Sequence, residues 1–378
     1  MIYFESYQKG YIGFNNQLIS YTLCVSLSNF LERDFFYDYD CPSATPPDYA
    51  VNSKLKDKFK ILLDSKRSLV SDLLNMPVRR CYEIDRNVEN KIRFDSVMKR
   101  FMTTGEQQSQ YKNTLFWDFF SLSRKPLIKE ELQNFDLIEI GEWNLINISY
   151  FYFLNKKDKN ELLDSVKIRY TDGIENLAKK ISVELGEFNS IHIRLGDFLI
   201  VRAREGYQIR IERFRKYLEA NVTDQTLPIL IATDALHEKE LFAKLLKDYR
   251  YIFIDELIFN EYSKELSELE FTDFNVLTVI NQLLCACSKS FIGTAGSTFT
   301  GIIHRLRQER FDKTDFNFHP DDRINKLLTS EYKIKPDRKG FFDWNRYSIF
   351  SGDYRDPGWM REWNYNFTSL NIKAHKAK

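Results

Sequence analysis

Two side chains capable of carrying positive charge sit on one face of an apolar strand in the run IHIRLGDF. Ile191, Ile193 and Leu195 alternate with His192 and Arg194, and strand side chains point to opposite faces in turn. A parallel strand covered on both sides should be apolar on both, so His192 and Arg194 need something polar to meet them. They also stand at the carboxyl end of the strand, just before the Gly196-Asp197 turn, where open α/β sheets bind ligands. The planar fork of Arg194 suits a diphosphate. The alternative is internal, with Arg194 paired to Asp197 or another carboxylate and His192 a satisfied core histidine.

A second group lies in SFIGTAGSTFTGIIHRLR. An apolar strand runs into Thr294-Ala295-Gly296, after which Ser297 and Thr298 open a helix. Helix N-termini present amides without intrahelical partners and the positive end of the dipole, and small residues let a phosphate reach them. Ser297 and Thr298 can add hydroxyl donors, although Ser and Thr are also ordinary N-cap residues. In LPILIATDA, Asp234 follows directly on an apolar run, placed either to accept from a ribose or base or to cap the next helix. The turn GYIGFNNQ, with Gly10, Gly13, Phe14, Asn15 and Asn16, offers carboxamides that donate and accept at once. It matches neither a dinucleotide fingerprint nor a P-loop. Asp38-Tyr39-Asp40 mimics a metal-binding DxD pair, but 54 acidic residues make such a spacing expected by chance. The basic stretch from Arg202 to Lys216 reads as a solvated helix face with its preceding loop.

Positioning these groups requires strand and helix to alternate, and they do. Ile2 to Glu5 reads as a strand, Gln17 to Leu31 as a helix with a stripe at Ile19, Leu23, Leu27, Phe30 and Leu31, and Phe35 to Tyr39 as a second strand. Lys54 to Glu130 reads as mostly helical and charged. LIEIGEWNLINISYFYFLN reads as strand and DSVKIRYTDGIENLAKKISVELG as helix, with a domain junction near residue 165. Strand and helix then alternate through NSIHIRLGDF, IERFRKYLEANV, LPILIATD, HEKELFAKLLKDY, YIFIDEL, DFNVLTVINQLLCACSKS, SFIGTAG and STFTGIIHRLRQER. From Asp312 onward the tail is polar and irregular, with Trp344, Trp359 and Trp363 as expected anchors. This is the pattern of α/β units with parallel sheets, and 378 residues suit two cores better than one.

Composition narrows the function classes. A formal net charge of +1 gives no global field to recruit nucleic acid or an anionic membrane, so an anionic ligand needs a local cluster. Cys24, Cys41, Cys81, Cys285 and Cys287 include no CxxC pair and no zinc spacing. No run approaches the roughly 18 apolar residues of a membrane span. Sequons at Asn147, Asn221 and Asn366 would permit glycosylation in a secretory lumen. The compartment stays open between that lumen, if an anchor precedes this chain, and the cytoplasm.

In this order and at these separations, GFNNQ, HIRLGDF, ATD and IGTAGSTFTGIIHRLR resemble the GDP-fucose protein O-fucosyltransferase family and its plant and fungal relatives, and PGWMREW resembles the tryptophan-bearing end of many members. The resemblance implies an α/β fold of GT-B type, two Rossmann-like domains facing each other across a cleft. Residues 1–165 would form the acceptor side and 166–378 the GDP-sugar-binding side. It implies an inverting transfer of fucose from GDP-fucose to a Ser or Thr hydroxyl of a protein, with no metal and no cofactor beyond the donor. Arg194 would neutralise the leaving diphosphate, and with Asn16 it is the catalytic candidate. Gly13, Phe14, Asn15, Asn16, His192, Asp234, Ser297, Thr298 and Phe299 would help hold the donor. Some members carry a glutamate base directly before the GFN turn where this chain has Ile12, and the pair Asn281-Gln282 lacks the acid often found there. A silent GDP-sugar or glycan-binding homologue, or transfer to a glycan, are the alternatives.

Overall fold

A computed structural model describes residues 2–5, 14–37, 68, 70–75, 88–93, 125–141, 167–195, 211–222, 224–294, 297–311, 313 and 317–319. These residues belong to two compact units. One carries the described elements up to Gly141, apart from a short helix, α2 (Val70–Leu73); that helix and the described residues from Arg169 onward belong to the other.

In the first unit, β1 (Ile2–Glu5), β2 (Phe35–Tyr37), β3 (Lys91–Arg93) and β4 (Leu137–Gly141) make a parallel sheet in the order β2-β1-β4-β3. Helix α1 (Phe14–Leu31) follows β1, and α3 (Lys125–Gln133) precedes β4. Leu18, Tyr21, Cys24, Leu27 and Leu31 of α1 are buried at helical spacing. Its end is fastened by Arg33, which donates to the carbonyls of Phe135 and Gln133. β3 lies inside the stretch expected to be helical. It is three residues long and alternates charge with one isoleucine, too short for a period to register.

The second sheet is also parallel, ordered β7-β6-β5-β8-β9, with β5 (Asn189–Ile193), β6 (Ile229–Thr233), β7 (Tyr251–Phe253), β8 (Phe291–Thr294) and β9 (Asn317–His319). Numbered within this unit, the order is 3-2-1-4-5, that of the Rossmann fold. All five β5 residues are buried, as a central strand covered on both faces must be. The covering helices are α4 (Asp172–Leu185), α5 (Ile211–Asn221), α6 (Lys239–Leu245), α7 (Ile254–Glu261), α8 (Ser263–Ser267), α9 (Phe274–Cys287) and α10 (Thr298–Phe311).

Several boundaries differ from the sequence reading. α4 begins only at Asp172, because just before it Tyr170 forms an antiparallel bridge with Leu74. It ends at Gly186, whose φ of 71° suits glycine. The run YIFIDEL divides after Phe253, and its acidic residues Asp255 and Glu256 fall in the first turn of α7, where the dipole favours them. β9 emerges from the tail read as irregular, pairing with β8 at Ile292, Gly293 and Thr294.

Buried polar contacts fix α9. Asp273 caps its first turn, accepting from the amides of Asn275 and Val276, and also accepts from Ser68 N at 2.6 Å and Ser68 Oγ. At the other end, fully buried Arg307 donates through Nη1 to the carbonyls of Ser288 at 2.8 Å and Ala286 at 3.2 Å, joined by Lys313 Nζ at 2.6 Å from the Ser288 carbonyl. Cations there satisfy carbonyls that the helix leaves open and complement its dipole. Cys24, Cys285 and Cys287 are free thiols. Among the described residues no helix is long and apolar enough to cross a membrane.

Candidate active site

The strand order of the second sheet reverses between β5 and β8, and ligands of open α/β sheets bind beyond the carboxyl ends of strands at such a point. Arg194 follows β5 and Ser297 follows β8, so the two sequence candidates with the strongest chemistry flank the switch point. Thr294 ties these strand ends together: its Oγ1 accepts from Arg194 N at 2.9 Å and donates to the His192 carbonyl at 2.9 Å. A side chain here replaces the backbone ladder just where the strands diverge.

Arg194 is about one-third exposed, and its Nε lies 4.0 Å from Asp234 Oδ2. That spacing is an ion pair of the loosest kind, not a hydrogen bond. The other carboxylate oxygen, Oδ1, accepts from Leu195 N at 2.8 Å. Asp234, at the end of β6, thus braces the backbone that presents Arg194.

His192 is buried, with Nδ1 2.8 Å from Thr300 Oγ1 and its ring 4.5 Å from that of Phe299, tilted by 37°. These contacts link β5 to the first turn of α10. Gly293 explains how the helix comes so close. A methyl there would lie 2.7 Å from Thr300 Oγ1 and closer still to Cγ2. Only glycine lets α10 rest directly on β8.

Ser297 accepts the first helical bond from Gly301 N at 3.1 Å, which makes it the N-cap of α10. An N-cap serine ordinarily turns its hydroxyl onto an amide of the first turn. Ser297 does not: its side chain is completely buried, and Oγ has no hydrogen-bond partner among the described residues. Thr298 and Phe299 follow, both partly exposed. A buried hydroxyl without a partner beside amides that open a helix is suited to an anionic group.

The remaining candidates belong to the first unit or lie outside the described residues. Phe14 is buried and Asn15 partly exposed on the first turn of α1; Asn16 is on the same turn, its side chain not described. Gly10, Ile12, Gly13, Asp38-Tyr39-Asp40 and Asp197 lie outside the described residues, as do Cys41, Cys81, Asn147, Asn366 and the tryptophans of the tail. Asn281 donates to Asp255 Oδ1 at 2.7 Å, and Gln282 accepts from the Tyr170 hydroxyl at 2.7 Å, so this pair is taken up in packing. No group of three or more His, Cys, Asp or Glu among the described residues is arranged to hold a metal.

Sequence reasoning missed Gly293, Thr294 and Thr300. All three stood in the quoted motif, but their roles depend on which strand lies beside β8.

Among solved structures, POFUT1 in complex with GDP is 12% identical, with 84% of this chain and 98% of that one covered and a TM-score of 0.46. Fucosyltransferase NodZ from Bradyrhizobium is 12% identical, with 81% and 92% covered and a TM-score of 0.42. A variant of Arabidopsis thaliana FUT1 in complex with GDP is 10% identical, with 81% and 68% covered and a TM-score of 0.41. No curated protein matches the chain. The family model described as GDP-fucose protein O-fucosyltransferase matches residues 6–310, most of the chain. With that span, the chain belongs to the GDP-fucose protein O-fucosyltransferase family.

Proposed function

We propose that this protein is a GT-B glycosyltransferase that moves fucose from GDP-fucose to a Ser or Thr hydroxyl of a protein acceptor, inverting the anomeric carbon without a metal ion. The observation that carries the reading is the buried, unpartnered Ser297 hydroxyl at the tip of α10, across the switch point from the strand end that presents Arg194. Membership of the family supports GDP-fucose as the donor.

In this reading the diphosphate takes donors from two sides, the Arg194 fork on one and the Ser297 and Thr298 hydroxyls with the α10 amides on the other. The acceptor oxygen bonds to the anomeric carbon as the bond to the β-phosphate oxygen breaks, and the electron pair leaves with GDP. Arg194 stabilises the charge that develops there, which is usually the largest catalytic contribution. Asn15 and Asn16 orient the sugar. With Ile12 in place of a glutamate, the acceptor proton passes to water or another group after the leaving group has begun to depart.

The test is GDP release from GDP-fucose with candidate protein acceptors, comparing wild type with Arg194→Ala and repeating the wild type in excess chelator. A chelator-resistant rate that Arg194→Ala abolishes supports the proposal; equal rates for the two proteins end it. Ile12 also favours a second reading, a silent GDP-sugar-binding homologue, for which GDP-fucose would bind without turnover on any acceptor.

A further inference from the structure

We propose that Thr300 is a positioning residue that sets the donor-binding tip of α10 against the Arg194 strand, acting through His192. The inference deepens the donor-site reading above and rests on it.

Three observations converge. Thr300 is completely buried in the first turn of α10, with its side chain over Gly293 of β8 where no other residue would leave room. Its hydroxyl then reaches past β8 to His192 Nδ1 at 2.8 Å on the neighbouring strand β5. The Phe299 ring packs on the same imidazole at 4.5 Å. The helix tip is therefore fastened to β5 by residues directly following Ser297 and Thr298, while two residues beyond His192 stands Arg194. Thr294 closes the same loop from below by holding Arg194 N and the His192 carbonyl together. Either direction of the Thr300 to His192 bond commits the imidazole to a single tautomer. Without it, the link between α10 and β5 is lost and the tip can shift on the sheet. A misplacement of about 1 Å is enough to cost a hundredfold in a preorganised site.

The test compares wild type, Thr300→Ser, which keeps the hydroxyl, and Thr300→Val, which keeps the shape. Calorimetric titration with GDP, KM and kcat for GDP-fucose, and 15N shifts of the His192 ring are measured on protein with native circular dichroism. The expected result is GDP affinity within about twofold of wild type for Thr300→Ser. Thr300→Val should bind GDP about tenfold or more weakly, with KM raised more than kcat is lowered, and its His192 ring should lose the single-tautomer pattern seen in wild type. Wild-type affinity in Thr300→Val, or equal loss in both variants, overturns the proposal. If wild type binds no GDP, the donor-site reading itself fails and this inference falls with it, whereas normal wild-type binding with an indifferent Thr300→Val sinks this inference alone. Should Thr300→Val not fold, Thr300→Cys, with its weak S–H donor, takes its place with the same expectations.

Discussion

Asp234 holds the strand end of Arg194 in two ways at once: one carboxylate oxygen accepts from Leu195 N at 2.8 Å, and the other stands 4.0 Å from Arg194 Nε. The backbone contact is firm and the side-chain contact between Asp234 and Arg194 loose. An exposed ion pair at that distance contributes little stability.

Arg194→Ala should lower kcat by a factor on the order of 10² to 10³ while the thermal midpoint stays within about a degree of wild type, because the side chain is one-third exposed and its contact with Asp234 is loose. Arg194→Lys should recover only part of the rate, since a point charge replaces a planar fork. Steady-state kinetics beside a thermal melt measures both. A large loss of stability in Arg194→Ala would assign the residue to the fold instead.

Ser297→Ala separates capping from ligand binding. The hydroxyl makes no capping bond and is buried, so its removal should leave the free protein equally stable or more stable by up to about 1 kcal/mol. The same change should weaken GDP binding by about tenfold, the loss of one hydrogen bond to a charged group. A helix-cap role would give the reverse, a destabilised protein with unchanged affinity.

Gly293→Ala should cost about 1–3 kcal/mol through overpacking, because the added methyl meets the buried Thr300 side chain. Adding Thr300→Ala should recover part of that loss, a non-additivity expected of residues in contact and readable by urea denaturation.

Buried acids predict the alkaline limit. Burial pushes the Cys285 thiol up to about 12 and raises Cys24, Cys287, Tyr21 and Tyr170 as well. Unfolding returns them to ordinary values near 8.5 for Cys and 10 for Tyr. Between unfolded and folded values the native state holds the extra protons, so stability is full below about pH 8.5 and falls as pH rises toward 12. Urea midpoints at pH 7.5, 9 and 10.5 should decline in that order, and a flat series would contradict the burial.

Much of this molecule was legible because apolar runs and helical periods are local. β5, β6, β8, α9 and α10 announce themselves, and Arg194 and Ser297 stand out as polar residues where strands end. Two short, weakly apolar elements were not: β3 and β9 are three residues each and become strands only by lying beside β4 and β8. Likewise the contact of Thr300 with His192 cannot be read from the sequence, because Thr300 reaches it only where residue 293 has no side chain. Arg307, visible only as one of several basic residues on α10, proves to be a cap for another helix.

A double-mutant cycle on GDP affinity tests the central claim most directly, using calorimetry on wild type, Arg194→Ala, Ser297→Ala and the double variant. If guanidinium and hydroxyl meet the same diphosphate, wild type binds GDP, each single variant binds it more weakly, and the cycle shows a coupling of about 0.5 kcal/mol or more. Wild type giving no binding heat, or single variants that retain full affinity, would contradict the account.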